Sequence, residues 1–348
     1  MPHLSPAPAV SILMPTYNAP DLARAAIDSV LAQSFTDFEL IVIDDASTDT
    51  TAAMLAGIDD PRLRILRPDR NEGPVAARNR GFAAARGRYI AALDHDDLCR
   101  PGRLAAQVAY LDAHPGTVLV ASHVSVLQHG EERPHSGPRR TTPVLLDWLL
   151  LLRNPLVWSS VMVRADAARA LDPFNRPERY GAEDFDFYHR IRAHGAIARI
   201  DADLLVYRDH PGGVSKRFAD RTDAAAIAVL SEAYTPLFGD DAAARATAMI
   251  RHAARAAPVD DAATLALLGD TLDRLHAWFL SEHAPRWSDR RHIAWHTARL
   301  WWRFAAEARR AGVPLRKAAQ SAPRCARLSR LGAPALARIW LGKMRRRT

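Results

Sequence analysis

The chain has 348 residues, 48% of them hydrophobic and 25% charged, which is enough to bury a sizeable core and argues against general disorder. Its two cysteines, Cys99 and Cys325, exclude a disulfide framework and a cysteine-based zinc site and point to a reducing compartment. The net charge of +8 is unevenly placed: residues 281–348 carry 17 Lys+Arg against 3 Asp+Glu and the remainder 30 against 36, so no general cationic surface drives the first 280 residues.

The opening segment MPHLSPAPAV has neither a basic n-region nor a long apolar h-region, so no secretory signal is expected. AVSILMPTY, residues 9–17, is an apolar run closed by Pro15 and predicts a first strand. Leu22, Ala26, Ile27, Val30 and Leu31 follow at helical spacing, with Asp21 as the expected N-cap. FELIVIDD, residues 38–45, predicts a second buried strand ending in carboxylates. Ser47 and Thr48 then offer caps for a helix that stops near Gly57. PRLRILRP predicts a third, shorter strand, and GPVAARNRGFAAARG a helix with Pro74 in its first turn and Gly87 as its stop. RYIAAL is the fourth strand and delivers Asp94, Asp96 and Asp97.

A helix over residues 101–113 and the strand TVLVAS come next. HGEERPHSGPRR reads as a loop, VLLDWLLLL as an amphipathic helix, and WSSVMVRADAARAL as a strand and a short helix. FDFYHRIRAHG predicts a helix stopped by Gly195, with AIARI and LLVYRDH as later strands. The most apolar window, residues 143–158, is broken by Asp147, Arg153 and two prolines and falls short of a membrane span. After about residue 218 the chain is rich in Ala, Leu and Arg with helical periodicity, so a boundary is placed there, giving regions 1–218 and 219–348.

Strands alternating with helices in this rhythm predict an α/β domain with a mostly parallel sheet. Ligands of such sheets bind beyond the carboxyl ends of the strands. Pro15–Tyr17, Asp44–Asp45 and Asp94–Asp97 all fall at that edge. Asp-x-Asp occurs three times, at Asp94/Asp96, Asp184/Asp186 and Asp201/Asp203, and only the first directly follows an apolar strand and adjoins a third carboxylate. Two readings stay open for that cluster. Hard oxygen donors converging at a strand end suit Mg²⁺ or Mn²⁺, with positions left for substrate phosphates. A solvated acidic turn capping the helix near Pro101 explains the spacing equally well.

The stretch SILMPTYNAPDLARAAIDSVLAQSFTDFELIVIDDASTDTT resembles the opening of the family 2 inverting glycosyltransferases, which share the GT-A fold. NEGPVAARNRG, LDHDD, GAEDFDFYHRI and YRDHPGGVS continue the likeness in family order, over roughly residues 8–217. The resemblance implies that Pro15, Tyr17 and Asp45 contact the donor nucleotide, with Tyr17 beside the base and Asp45 on its uracil-type edge. It implies that Asn71, Gly73 and Arg78 help hold the nucleotide and its sugar. Asp96 and Asp97 would hold Mg²⁺ or Mn²⁺ on the diphosphate, with Asp94 nearer the ribose or sugar. By the same likeness Asp184 is the base that deprotonates the acceptor hydroxyl, and Glu183 its neighbour that orients the acceptor. His210 would lie near the diphosphate or metal, with Arg208 and Ser215 as weaker phosphate contacts. Trp158, Ser159 and Ser160 would shape the acceptor pocket, Trp158 either stacking on a sugar or packing in the core.

Each residue also has a plainer reading: Asp45 as a helix cap, Arg78 as a surface helix residue, Glu183 and Asp184 as acids at a helix N-terminus, His210 as a loop histidine. RHIAWHTARLWWRFAAEARRAG and LARIWLGKMRRRT mix aromatic and basic residues, either to sit on anionic lipid or to pack as a solvated helical bundle. No nucleic-acid partner is expected, because no recognition module is present. The expectation is therefore a cytoplasmic enzyme, peripheral on the inner membrane face. It would move a sugar from a nucleotide donor to a glycan or lipid-linked acceptor in surface polysaccharide assembly. The alternatives are a nucleotidyltransferase, which PTYNAPD does not resemble at its phosphate loop, and a non-catalytic glycan- or membrane-binding scaffold.

Overall fold

The computed structural model describes residues 7–135, 138–210, 212, 213 and 217–328. The chain forms two compact units, one of residues up to Pro143 with Pro155–Ala225, the other of Val144–Asn154 with the chain from Ala226 onward. The division falls inside the helix Ala219–Phe238 and not at residue 218, and the apolar segment 144–154 belongs to the second unit. A continuous helix carries no composition break at its middle, which is why the sequence places the boundary at the helix start.

The first unit is built on one nine-stranded sheet. Its elements are β1 (Val10–Thr16), α1 (Pro20–Leu31), β2 (Phe38–Asp44), α2 (Thr51–Ala56), β3 (Leu63–Leu66), α3 (Pro74–Ala84), β4 (Tyr89–Ala92), β5 (Leu98–Cys99), α4 (Arg103–Ala113), β6 (Thr117–Gln128) and β7 (Glu131–Pro134). Helix α5 (Pro143–Leu150) leads into the second unit, and β8 (Met162–Arg164), α6 (Ala165–Arg169), α7 (Glu183–Ile191) and β9 (Ala196–Arg208) complete the first. The strand order is β3-β2-β1-β4-β8-β6-β9-β5, with β7 beside β6. Pairs β3–β2, β2–β1, β1–β4 and β6–β9 are parallel, while β8, β5 and β7 run antiparallel to their neighbours. The sheet is thus mostly parallel, as the alternation requires. Strands β1 and β2 are buried at every position, which accounts for their largely apolar runs; the buried exceptions Ser11 and Glu39 bond each other at 2.6 Å.

Helices seal the sheet through small residues. Helix α1 buries Ala23, Ala26, Ile27 and Val30, and it opens on Pro20 after Ala19, so Asp21 sits in its first turn without capping. Ser47 and Thr48 do not cap α2 either; they tie the loop after β2 to Asn18, which follows β1. Gly81 lets α3 lie on β2, since a Cβ there would come within 2.7 Å of Ile43 Cδ1. Gly87 is not a helix stop, because α3 ends at Ala84; it passes flat against β1, where a Cβ would meet the Ser11 nitrogen at 2.5 Å. The HGEERP segment forms a hairpin, not a loop: His129 and Gly130 at φ 51° and 80° reverse the chain so that β7 pairs with β6. AIARI and LLVYR form one strand, β9, whose pairing with β6 shifts register around His123.

The second unit is helical. Helices Ala262–His283 and Trp287–Arg310 bury Leu265, Leu268, Leu272, Phe279, Ile293, Trp301 and Phe304. Trp148 of α5 packs edge-on against His276 and Phe279, and the Tyr234 hydroxyl donates to Leu151 O at 2.6 Å. LARIWLGKMRRRT lies outside the described residues.

Candidate active site

The parallel strands β1, β2 and β4 end at one edge, where Thr16 stands opposite Asp44 and β4 passes into the acidic turn. Asp45 follows β2 and is held to β1 by its amide, which donates to Thr16 O at 2.9 Å. Its carboxylate accepts from the amides of Glu72 at 2.9 Å and Gly73 at 2.8 Å, and its carbonyl accepts from Asn71 Nδ2. Asp45, Asn71 and Gly73 thus form one knot, with Gly73 at φ 85° opening α3. Asp45 is only 3% exposed. Pro15 is buried in β1, and Tyr17 stands exposed just beyond it.

The acidic turn 94–97 is spread over three different partners. The Asp94 amide donates to Ser159 Oγ at 2.9 Å, and Asp94 Oδ1 accepts from Arg78 Nη2 at 2.7 Å. Asp96 Oδ2 lies 2.9 Å from His210 Nε2. Asp97 Oδ1 accepts from the Arg208 amide at 2.9 Å, while its Oδ2 is buried with no hydrogen-bond partner among the described residues. Burial, and after it the charges of Asp96 and Asp94, push the Asp97 carboxyl well above the usual carboxylate range. Strand β9 causes this meeting. Leu98 pairs with Val206, which brings Arg208 and His210 back over the turn. His210 is therefore no free loop histidine.

Among the described residues no three His, Cys, Asp or Glu side chains are preset as a metal cage. A divalent cation nevertheless fits the donors chemically: two adjacent carboxylates, one carrying an orphaned buried oxygen, with an imidazole beside them.

Glu183 and Asp184 open helix α7, whose N-terminus favours negative charge. Glu183 is buried, with Oε2 accepting from the Gly181 amide at 2.6 Å and Oε1 bonded to Arg78 Nη1. Both of its oxygens are engaged within the protein. Asp184 is half-buried and accepts from the Phe185 amide. The Tyr188 hydroxyl is pushed up first by burial, then by Asp184 and Asp94, which places both carboxylates within electrostatic reach of one group.

Arg78 joins the two acidic clusters. It lies on the buried face of α3 with Val75 and Gly81, not on a surface. Burial alone would lower its affinity for a proton, but Asp94 and Glu183 outweigh that and hold it above the ordinary arginine range. Trp158 lies 5.5 Å from the Arg78 guanidinium and packs among Phe174, Phe187 and Tyr188 in an aromatic core. The charge clamp of Arg78 and the support of Ser159 were missed in the sequence. An arginine in register with Val75 and Gly81 was the available signal. Ser215 lies outside the described residues.

Residues 11–171 match the family described as Glycosyl transferase family 2. A stretch of 161 residues is 44% identical to the succinoglycan biosynthesis protein ExoO of Rhizobium meliloti (strain 1021), covering 44% of this chain and 46% of that protein. A stretch of 192 residues is 33% identical to the putative glycosyltransferase EpsE of Bacillus subtilis (strain 168), covering 54% of this chain and 68% of that protein. The chain thus spans about half of the first relative and two thirds of the second. The crystal structure of S. aureus TarS 1-349 in complex with UDP aligns at a TM-score of 0.56 and 19% identity, over 87% of this chain and 89% of that one, a likeness of fold. The matched sequence and the strand-edge carboxylates on a mostly parallel sheet agree: this chain belongs to glycosyltransferase family 2 and has the GT-A fold.

Proposed function

We propose that the chain transfers a sugar from a nucleoside-diphosphate donor, a UDP-sugar, to a hydroxyl of a glycan or lipid-linked acceptor, with inversion, in assembly of a surface polysaccharide. The Arg78 bridge carries this reading. It brings the acidic turn and the helix bearing Asp184 to a single guanidinium, as a donor-side and an acceptor-side group must be brought together. The solved TarS complexes with UDP and UDP-GlcNAc support a uridine donor, and the name of ExoO supports a polysaccharide product.

In this reading Asp184 takes the proton from the acceptor hydroxyl as its oxygen bonds to the anomeric carbon. The bond to the diphosphate breaks on the opposite face, and the nucleoside diphosphate leaves with the electron pair. Asp96, Asp97 and His210 would hold Mg²⁺ or Mn²⁺, which when bound neutralises charge on the departing diphosphate. Arg78 fixes Glu183 and Asp94, so α7 and the acidic turn keep their spacing through the transfer.

The test is donor binding followed by turnover. A panel of nucleotide sugars is screened for a rise in Tm, and UDP release is then measured with glycan acceptors for wild type and Asp184→Asn. A UDP-sugar that stabilises the protein and is consumed only by wild type is the expected result. Full-rate transfer by Asp184→Asn overturns the base assignment, and failure of every UDP-sugar to bind overturns the donor.

A further inference from the structure

Helix Trp287–Arg310 has two different aromatic faces. One holds Ile293, Thr297, Trp301, Phe304 and Ala308 and is buried in the second unit. The other carries Trp287, Arg291, Trp295 and Arg299, each four residues after the last, so they form a shallow stripe along the helix. Trp287 is 70% exposed and Trp295 39%. Arg291 lies over the Trp287 ring at 4.6 Å and Arg299 over the Trp295 ring at 5.4 Å, so the same pair is built twice.

We propose that this Trp-Arg stripe is a docking surface for an anionic lipid bilayer. Charge complementarity favours that occupant. The only acids of the helix are Asp289 and Glu307; Asp289 is buried, and neither lies in the stripe. Cations here crowd one another: Arg153 of the same unit is pushed down by burial and by Arg299, and His296 falls to about 4 through burial, Arg299, His292 and Arg153. An anionic surface relieves such crowding. Indole rings favour the headgroup layer, where one edge is wet and the other apolar. A stacked nucleic acid base fits less well, because a guanidinium already covers one face of each ring. Among the described residues no helix is long and apolar enough to cross a membrane, so the stripe lies on the bilayer and not through it.

The test uses the full chain with vesicles of phosphatidylcholine alone or mixed with phosphatidylglycerol. Wild type is expected to co-sediment with the mixed vesicles, to release at high salt, and to shift its tryptophan emission to the blue. Arg291→Ser/Arg299→Ser should weaken binding roughly 25-fold, about fivefold per arginine. Trp287→Ser/Trp295→Ser should lose the emission shift and most of the binding. All four positions are exposed, so both variants should keep the wild-type Tm and UDP-sugar turnover. Equal binding to both vesicle types, or unchanged binding by both variants, overturns the proposal. So does tighter binding to a single-stranded oligonucleotide, or a dimer that the tryptophan variant dissociates.

Discussion

Asp94 and Glu183 accept from opposite ends of one guanidinium, that of Arg78. One carboxylate ends a strand and the other opens a helix, and the arginine between them is buried on a third element. Removing it takes the arginine from a buried Glu183 and a partly exposed Asp94 at once.

Arg78→Met should therefore cost about 3–5 kcal/mol of stability, the usual result of breaking a buried pair from one side. Arg78→Met/Glu183→Gln should cost less than the two single changes combined, since the second change removes a stranded charge. Denaturant melts of the three variants and wild type measure this. Additive losses would mean that the pair is not coupled.

Asp184→Asn removes the proposed proton acceptor and keeps the shape of the helix start. Transfer should fall by about a hundredfold or more, the low end of what a positioned base contributes. UDP-sugar affinity by calorimetry should stay near wild type, because the donor-side residues are untouched.

Asp97→Asn separates metal binding from folding. The wild-type carboxyl sits well above the usual range because it is buried beside Asp96 and Asp94, so its charge works against folding at neutral pH. The metal-free variant should be at least as stable as wild type. Mn²⁺ should raise the Tm of wild type and leave that of the variant unchanged. A variant that still gains stability from Mn²⁺ would place the cation elsewhere.

His296 predicts an acid-sensitive second unit. Its ring is lowered from 6.5 to about 4 by burial first, then by Arg299, His292 and Arg153. Between those values the unfolded chain binds a proton that the folded chain refuses, so stability falls as pH drops from 6.5 and levels off below 4. The slope is at most about 1.4 kcal/mol per pH unit, and less because the ring is only half-buried. His296→Gln should flatten this part of the profile, read from urea midpoints at successive pH values.

The sequence by itself determined the strands β1, β2 and β4, because strands buried on both faces are mostly apolar on both, with only Ser11, Thr16, Glu39 and Asp44 as polar exceptions. The strand-helix alternation then put Asp45 and the acidic turn at one sheet edge, where parallel topology leaves room for a ligand. Helix caps and the β7 hairpin were less legible, since Asp21, Ser47 and Thr48 suit several local roles and a His-Gly turn is a weak signal. Only the tertiary structure decided the partners. Arg78 meets Glu183 across 105 residues and His210 meets Asp96 across 114. It also decided which tryptophans are core: Trp158 and Trp301 are buried, while Trp287 and Trp295 face water. Periodicity states which face of an element is apolar, but strand order and helix docking choose what that face meets, and those depend on contacts between distant parts of the chain.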